Sequence, residues 1–308
     1  MNRLPSVAIL LATYNGAAFL DAQLASIEDQ SSVGRIDVRA SDDNSGDGTR
    51  ARLEDWARRW QRGTFTVVSG PAEGYAANFR ALLANTPADA DYFAFADQDD
   101  LWDRDKLAAA IARLANLAGP GLYLSRTRLI DEAGKPMGFS PLFSRPPDFR
   151  NAIVQSIGGG NTIVMNPAAF GLVAESARRT PFLSHDWWCY ILCAGAGGTV
   201  IYDPEPHIGY RQHAGNVIGR NTGLLPRLRR LGLLLEGRFA HFTARNLESL
   251  AACRDLLTPA ALATIDDLER IRRSAGPAAV GRLVRAGLYR QTRPGQLALL
   301  AAAFLGKL

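Results

Sequence analysis

The first hundred residues alternate between short apolar runs and longer segments in which apolar positions recur at helical spacing. The apolar runs predict strands at residues 7–12, 36–40, 65–68 and 92–96. The segments between and after them predict helices at residues 18–30, 49–62 and 75–84. Strands that alternate with helices are typical of βαβ units, in which parallel strands form a sheet covered by helices. The pattern therefore predicts an α/β fold with a Rossmann-like, mostly parallel sheet and helices on both faces.

Beyond residue 120 the pattern becomes mixed and then wholly helical. It predicts a strand at residues 122–128, a proline-rich loop at 141–149, a helix beginning near His185 and a strand at 199–202. Beyond residue 221, leucine and arginine are interleaved at helical spacing, and prolines divide the segment into several helices. We therefore predict two regions: an α/β domain at residues 1–222 and a C-terminal helical extension at residues 223–308.

Clusters of polar residues follow three of the predicted strands. They are Thr13-Tyr14-Asn15, Ser41-Asp42-Asp43-Asn44 and Asp97-Gln98-Asp99-Asp100. Because ligands of open α/β sheets bind outside the carboxyl ends of the strands, we expect the three clusters to line one crevice. In an extended backbone Asp97 and Asp99 point the same way, and such a pair of carboxylates suits Mg²⁺ or Mn²⁺. The alternative is a solvated acidic loop that caps a helix beginning near Leu101.

Two later segments combine side chains suited to catalysis and to phosphate binding. Ser184-His185-Asp186-Trp187-Trp188 sets a carboxylate, which can accept a hydroxyl proton, beside rings that can pack against a sugar. Its alternative is that Asp186 stabilises a helix amino terminus while the tryptophans fill the core. Tyr210-Arg211-Gln212-His213 offers a guanidinium for a diphosphate and an imidazole for a metal or phosphate. Its alternative is a surface turn.

Two further spacings point to other chemistry and are less well supported. Residues 46–51 match the G-x-G-x-x-A dinucleotide fingerprint, but the neighbouring aspartates would repel a pyrophosphate. Cys189 and Cys193 have, with two later histidines, a loose zinc-finger spacing. Both cysteines lie in an apolar helical run, where cysteine usually packs as a small hydrophobic residue. We therefore favour neither a dinucleotide site nor a structural zinc site.

Composition restricts the class of protein. Hydrophobic residues make up 47% and charged residues 21% of the 308-residue chain, as in globular proteins. Three cysteines are too few for a disulfide framework, which favours a reducing compartment. No apolar run approaches the roughly 18 residues of a membrane-spanning helix, and the run at residues 7–12 is short for a signal peptide. We therefore expect a cytoplasmic protein.

The net charge of +5 is unevenly distributed. Residues 224–308 contain 14 Lys and Arg against 6 Asp and Glu, a net charge of +8, whereas residues 1–223 contain 21 against 24, a net charge of −3. No nucleic-acid-binding motif accompanies the basic residues, so we expect no nucleic acid partner and instead peripheral contact with the anionic inner face of the membrane. The alternative is that the leucines of the extension bury against the α/β domain or a second subunit of a homodimer.

Seven motifs, in order along the chain, resemble those of the family 2 glycosyltransferases, which have the GT-A fold. They are Thr13-Tyr14-Asn15, Asp42-Asp43-Asn44-Ser45 with Gly48-Thr49, Gly74 with Asn78, Asp97-Gln98-Asp99-Asp100-Leu101-Trp102, Gly159-Gly160-Asn161, His185-Asp186-Trp187-Trp188 and Tyr210-Arg211-Gln212-His213. The last three are similar to the rhamnosyltransferase-type branch. The resemblance covers residues 5–222, so the role of the extension rests on its composition.

The resemblance implies an inverting, metal-dependent transfer of a sugar to a hydroxyl of a bacterial surface-glycan or lipid-linked acceptor. It favours dTDP-rhamnose over a UDP-sugar as the donor. It also implies that Asp186 is the catalytic base and that Asp99 and His213 bind Mg²⁺ or Mn²⁺. The residues implied for nucleotide-sugar binding are Thr13, Tyr14, Asn15, Asp42, Asn78, Asp97 and Arg211. Those implied for acceptor binding are Gly159, Gly160, Asn161, Trp187 and Trp188.

Two other classes of protein remain open from the sequence. A sugar-phosphate nucleotidylyltransferase also begins with a nucleotide-binding α/β sheet, but residues 10–16 lack the glycine-rich loop with arginine and lysine that we would expect of it. A non-catalytic nucleotide-sugar-binding protein is the second class, because the sequence does not show that Asp186 reaches an acceptor. Turnover of a donor would separate these classes from a transferase.

Overall fold

The computed structural model describes residues 3–213 and 238–308. Its strands are β1 (Val7–Thr13), β2 (Ile36–Asp42), β3 (Phe65–Ser69), β4 (Tyr92–Ala96), β5 (Leu101–Trp102), β6 (Gly121–Ser125), β7 (Arg128–Ile130), β8 (Pro136–Phe139), β9 (Val164–Met165), β10 (Thr199–Asp203) and β11 (Ile208–Arg211). Its helices are α1 (Leu20–Glu28), α2 (Thr49–Arg59), α3 (Tyr75–Asn85), α4 (Lys106–Leu114), α5 (Phe149–Ala152), α6 (Pro167–Arg179), α7 (His185–Gly195), α8 (Arg238–Ala251), α9 (Pro259–Arg272), α10 (Gly276–Arg285) and α11 (Arg293–Phe304). Within these two ranges, none of the helices has the length and apolar character needed to cross a membrane.

Seven of the described strands form a mostly parallel sheet. Their order across the sheet is β10-β6-β9-β4-β1-β2-β3. Strand β9 is antiparallel to both of its neighbours, whereas the other pairs in this sheet are parallel. The chain order reverses at β1, since β2 and β3 follow on one side and β4 lies on the other. Such a switch point is where open α/β sheets bind their ligands.

Alternate residues of β1 face two separate hydrophobic cores. Ala8 and Leu10 belong to the core that includes α3, α6 and α7. Val7, Ile9 and Leu11 belong to the core that includes α1, α2 and α4. Successive side chains of a strand point to opposite faces of the sheet, and helices cover both faces here. The strand therefore appears in the sequence as a continuous apolar run rather than an alternating one.

A smaller sheet of four described strands brings the end of the α/β domain back to the acidic loop, which we define as residues 97–100. Its order is β5-β11-β7-β8. Strand β5 begins directly after Asp100, and it pairs with β11 in antiparallel register. This pairing places Arg211 and His213, at and just after the end of β11, beside the acidic loop.

Helices α8 to α11 share a hydrophobic core with the α/β domain. One buried leucine of each helix belongs to the cluster that also contains the core residues of α6: Leu250, Leu268, Leu283 and Leu299. On α11, in contrast, Leu297 and Phe304 are exposed. Part of the apolar surface of the extension therefore packs against the α/β domain, and part faces solvent.

The predicted α/β fold class is confirmed, and the first seven elements lie within three residues of their predicted bounds. Two element bounds differ from those expected. The helix that the alternative for the acidic loop placed near Leu101 begins at Lys106, because Leu101 and Trp102 pair with β11. The strand expected at residues 122–128 is divided between β6 and β7, because the chain changes partner from β10 to β8 near Thr127.

Candidate active site

The candidate site lies where β1 and β4 end side by side in the larger sheet. The backbone N–H of Tyr14 donates to Oε1 of Gln98 (2.8 Å), and Nε2 of Gln98 donates to the backbone carbonyl of Tyr14 (2.8 Å). This reciprocal pair joins the first polar cluster to the acidic loop across the switch point. The ring of Tyr14 is left exposed.

The second polar cluster forms a turn that surrounds Asp42. Oδ1 of Asp42 accepts hydrogen bonds from the hydroxyls of Thr13 (3.1 Å) and Ser45 (2.6 Å). Asn15, at a positive φ of 48°, joins the same turn, because its N–H donates to Oγ of Ser45 and its Oδ1 accepts the N–H of Gly46. The structure thus brings Thr13, Asn15 and Asp42 together, as the shared edge of the strands requires.

Asp43, to which the sequence analysis gave no role, fixes the start of α3. Its two carboxylate oxygens accept the backbone N–H groups of Ala72 (2.7 Å) and Gly74 (2.9 Å). Gly74 has a φ of 90°, which favours glycine. Asn78 on α3 is buried, and its Nδ2 donates to the backbone carbonyl of Ser41 (2.9 Å). The second cluster and α3 are therefore held as one unit.

The carboxylates of the acidic loop have different partners. Oδ2 of Asp99 lies 2.7 Å from Nε2 of His213. Asp100 is fully buried, and its Oδ1 accepts the backbone N–H of Arg211 (3.1 Å) while its Oδ2 accepts Nδ2 of Asn161. Asp100 therefore joins the acidic loop to β11 and to the 3₁₀ turn Gly160–Thr162. The structure brings together Asp99 and His213, which the sequence analysis assigned to one metal.

Arg211 differs from the diphosphate clamp that the sequence suggested. It is buried, and its Nε donates to the backbone carbonyl of Asp99 (2.8 Å). Its Nη1 donates to the backbone carbonyls of Asp131 and Glu132. The guanidinium also lies 4.9 Å from the ring centroid of Phe19. These contacts give Arg211 a positioning role, because it holds the acidic loop against the loop that follows β7.

Burial and mutual repulsion raise the pKa values of two loop carboxylates. Burial raises the pKa of Asp97 well above its ordinary value, and so do the charges of the other loop aspartates and of Asp186. Burial and the charge of Asp99 raise the pKa of Asp100 to about 7. Lys106, at the start of α4, is a buried countercharge, and its own pKa is lowered by burial to about 7. Lys106 was not predicted as a site residue, although a lysine on the apolar face of a helix is a signal that could indicate it.

Asp186 lies in the first turn of α7. One oxygen of its carboxylate accepts the backbone N–H of Trp187 (2.7 Å) and the hydroxyl of Ser184. Burial raises its pKa above the ordinary value of 3.8, which makes it a stronger base. Its charge contributes to the raised pKa of Asp97. The neighbouring His185 packs against Phe95, two residues before Asp97, so the start of α7 lies near the acidic loop.

His185 packs beside this carboxylate in an apolar environment. Its ring stacks on Phe79 with 3.7 Å between centroids and meets Phe95 edge-on at 4.8 Å. Burial lowers its pKa to about 3, so the ring is neutral at physiological pH. Gly160 lies directly against it, because an added Cβ would come within 1.9 Å of Nε2. The segment 159–161 thus fits closely against the start of α7, while its contacts with an acceptor stay a prediction.

The two tryptophans after Asp186 are directed inward. Trp188 is 1% exposed, and its Nε1 donates to Oγ of Ser176 (2.9 Å). The prediction that Trp188 contacts an acceptor is therefore wrong, because α7 turns this ring into the core. Trp187 is half-buried, and its Nε1 donates to the backbone carbonyl of Ala152 (2.6 Å). Only the remaining exposed part of Trp187 is available to an acceptor.

Asp99 and His213 are the described residues best placed to bind a divalent cation. Oδ2 of Asp99 and Nε2 of His213 are hydrogen-bonded at 2.7 Å, so a cation would have to replace the proton that they share. A carboxylate oxygen with an imidazole nitrogen is a donor set used for such ions. Across residues 3–213 and 238–308, no group of three or more His, Cys, Asp or Glu side chains is arranged to hold an ion. Water and substrate phosphates would therefore complete the coordination. Cys189 and Cys193 are buried free thiols, as their packing interpretation predicted.

Comparison of the sequence with models of known protein families shows the family to which this chain belongs. The family model described as "Glycosyl transferase family 2" matches residues 8–166, which is 159 of the 308 residues. The chain therefore belongs to glycosyl transferase family 2 and is a glycosyltransferase. The matched segment contains all three polar clusters, including the acidic loop.

The chain is also similar to individual proteins over most of its length. The dTDP-rhamnosyl transferase RfbG of Shigella flexneri is 28% identical over 239 residues, which cover 73% of this chain and 78% of the relative. The uncharacterized protein Rv1520 of Mycobacterium tuberculosis is 26% identical over 218 residues, which cover 68% of this chain and 59% of that protein. Staphylococcus aureus TarS 1–349 in complex with UDP-GlcNAc is 14% identical, with a TM-score of 0.55, over 98% of this chain and 88% of that one. The TarS likeness shows that the GT-A fold is shared.

Proposed function

We propose that this enzyme transfers rhamnose from dTDP-rhamnose to a hydroxyl of a bacterial surface-glycan or lipid-linked acceptor, with inversion at the anomeric carbon. The observation that carries the proposal is the arrangement of one crevice between Asp186 and the Asp99–His213 pair. The charges of Asp186 and Asp99 both raise the pKa of Asp97. His185, next to Asp186, packs against Phe95, two residues before Asp97. The likeness to RfbG supports a dTDP-rhamnose donor over a UDP-sugar.

Asp186 would act as the general base. It would accept the proton of the acceptor hydroxyl while the hydroxyl oxygen bonds to the anomeric carbon and the bond to the diphosphate oxygen breaks. The nucleoside diphosphate leaves, and one displacement gives inversion. Because a sugar hydroxyl is a far weaker acid than a carboxyl group, proton transfer must accompany attack, and the raised pKa of Asp186 favours it.

The donor would lie along the ends of β1, β2 and β4. Thr13, Tyr14, Asn15, Asp42 and Asn78 would bind the base and ribose, and Asp97 would meet the ribose. Asp99 and His213 would hold Mg²⁺ or Mn²⁺, which when bound neutralises charge on the leaving diphosphate. Gly159, Gly160 and Asn161, with the exposed part of Trp187, would border the acceptor.

We further propose that the helical extension contacts the anionic inner face of the cytoplasmic membrane, where a lipid-linked acceptor would be presented. Leu297, Ala301 and Phe304 lie at helical spacing on the exposed face of α11. Arg285 and Arg293 on α10 and α11 are exposed as well. A helix with apolar residues and neighbouring arginines suits the interface of an anionic bilayer.

A thermal-shift screen of nucleotides and nucleotide sugars, with and without Mn²⁺, tests the donor site. A ligand present at 100 times its dissociation constant adds about 2.7 kcal/mol to the free energy of unfolding. We expect dTDP-rhamnose with Mn²⁺ to give a larger shift than UDP-GlcNAc or GDP-mannose. The absence of a shift with every nucleotide sugar would contradict the proposal.

Substitution of Asp99 tests the metal assignment within the same screen. We expect Asp99→Ala to abolish the part of the shift that depends on Mn²⁺, because the variant lacks the carboxylate ligand. Asp105→Ala is the matched control, since Asp105 also pairs with a histidine, His207, at 3.2 Å, outside the crevice. If Asp99→Ala binds dTDP with unchanged affinity and unchanged dependence on Mn²⁺ in calorimetry, the metal assignment is wrong.

A further inference from the structure

The aromatic ring left exposed beside Asp186 belongs to Tyr75. Tyr75 is the first residue of α3, and 40% of it is exposed. Its hydroxyl donates to the backbone carbonyl of Leu183 (3.2 Å), in the loop that leads to Asp186. Its ring meets His185 edge-on, with 6.4 Å between centroids. The hydroxyl and one edge of the ring are thus held by the protein, and the exposed remainder is available to a ligand.

Tyr75 borders the space between the base and the acidic loop. Its hydroxyl binds the carbonyl of Leu183, three residues before Asp186, and its ring meets His185, the residue next to Asp186. Burial raises the pKa of its phenol, and the charges of Asp186 and Asp97 raise it further. In a single displacement, the anomeric carbon must lie between the base and the leaving diphosphate. The transferred sugar would therefore occupy the space that Tyr75 borders.

The backbone at Tyr75 is fixed before any ligand binds. Gly74, the residue that precedes it, donates its N–H to Oδ2 of Asp43 (2.9 Å), and the same carboxylate holds Ala72. A ring that is already ordered loses little conformational freedom when a ligand packs against it. Trp188, in contrast, is buried and offers no ring surface to a ligand.

We propose that Tyr75 is a specificity-determining residue whose exposed ring packs against the apolar face of the transferred sugar. The inference rests on the proposed function, because that function places the sugar between Asp97 and Asp186. A 6-deoxy sugar carries a methyl group where a hexose carries a hydroxymethyl group, so it offers more apolar surface to an aromatic ring. The contact would favour rhamnose in the donor.

Calorimetric titration with dTDP and with dTDP-rhamnose, both in the presence of Mn²⁺, tests the role of Tyr75. We expect Tyr75→Ala to weaken binding of dTDP-rhamnose by about three- to tenfold and to leave binding of dTDP unchanged, because only the sugar meets the ring. Tyr75→Phe keeps the ring and should retain wild-type affinity for both ligands. Tyr289→Ala is the matched control, because the Tyr289 hydroxyl also donates to a backbone carbonyl, that of Pro146.

Three results would overturn the role of Tyr75 while leaving the nucleotide site intact. They are unchanged affinities in Tyr75→Ala, an equal loss for dTDP and dTDP-rhamnose in that variant, and a loss in Tyr75→Phe as large as in Tyr75→Ala. If the wild-type protein binds neither ligand, the proposed function and this inference both fail.

Discussion

At the residue scale, the carboxylate of Asp186 is held in place by hydrogen bonds and has a raised pKa. Its carboxylate is held by the N–H of Trp187 and the hydroxyl of Ser184, and burial raises its pKa above 3.8. Because its folded-state pKa lies above the unfolded value, ionised Asp186 destabilises the fold at neutral pH. A group that costs stability and borders the crevice is typical of a catalytic site.

We expect Asp186→Asn to lower turnover by about 10²-fold or more and to leave donor binding nearly intact, because it removes the base without changing the shape of the side chain. The acid limb of the wild-type pH–rate profile should lie above pH 3.8, because the base must be ionised and its pKa is raised.

The Asp186→Asn variant should unfold at the same or a higher temperature at neutral pH, because it lacks the ionised carboxylate that destabilises the fold. Stopped assays across pH and a melting curve measure these quantities.

Asp148→Asn is the control for that substitution. Asp148 caps α5 by accepting the N–H of Arg150 (2.7 Å), so the change removes a carboxylate near a helix amino terminus outside the crevice. Its turnover should match that of the wild-type enzyme. Near-normal turnover in Asp186→Asn would move the base to another residue, with Asp100 the next candidate.

The sequence correctly predicted the location of site residues whose place depends on their position along a strand. It did not predict which side chains are buried or exposed where that depends on the rotation of a helix. Thr13 and Asp42 end parallel strands and Asp99 lies just after another, so their position at one edge of the sheet follows from the pattern. The burial of Trp188 and the exposure of Tyr75 depend on how α7 and α3 are rotated against the core. No local signal in the sequence fixes those rotations.

At the element scale, the start of α7 depends on its fit against the 3₁₀ turn Gly160–Thr162. The His185 ring fills the space beside Gly160, and Asn161 from the same turn binds the buried Asp100. The turn thus couples the position of Asp186 to that of the acidic loop. A small displacement of the turn would therefore change the position of Asp186 relative to the acidic loop.

We expect Gly160→Ala to lower the free energy of unfolding by about 1–3 kcal/mol, because the new Cβ overlaps the His185 ring and overpacking of this kind has that cost. Gly171→Ala is the control. Gly171 is exposed on the solvent face of α6, and an added Cβ there meets no atom within 4 Å. That substitution should raise stability by about 0.5–1 kcal/mol, as alanine does in an open helix. Urea titration compares the two, and equal effects would contradict the tight fit.

The longer elements could be predicted from the sequence, whereas the smaller sheet could not. Strands such as β1 contain enough consecutive apolar residues to be predicted from their local sequence alone. Strand β5 has two residues, and it exists because it pairs with β11, about a hundred residues further on. That long-range pairing replaced the helix that local capping signals suggested at Leu101.

At the scale of the whole molecule, the extension both completes a core and presents an exposed surface. Leu268 and Leu283 are buried against the α/β domain, so truncation of the extension would uncover apolar core. Point substitutions on its exposed face are therefore the suitable test of membrane contact. Leu297 and Leu305 are 67% and 52% exposed on α11 and at its end.

We expect the protein to sediment with anionic but not with neutral vesicles, and to be released at high salt, because each arginine near an anionic surface contributes about 1 kcal/mol. The double substitution Leu297→Ser and Leu305→Ser should reduce sedimentation, since it removes the inserted apolar side chains. Leu4→Ser, at an exposed leucine of the amino-terminal segment, is the control. No binding to anionic vesicles at low salt would contradict membrane contact and direct attention to a dimer.

The central claim is that the crevice between Asp186 and the Asp99–His213 pair transfers a sugar from a nucleotide-diphosphate donor. The most direct measurement is release of dTDP from dTDP-rhamnose with Mn²⁺, in the presence and absence of a lipid and glycan extract of bacterial envelope that supplies acceptors. We predict that release depends on the extract, and that the rhamnose appears on a component of the extract with its anomeric configuration inverted. Transfer with retained configuration, or no release of a nucleoside diphosphate from any nucleotide sugar, would contradict the claim.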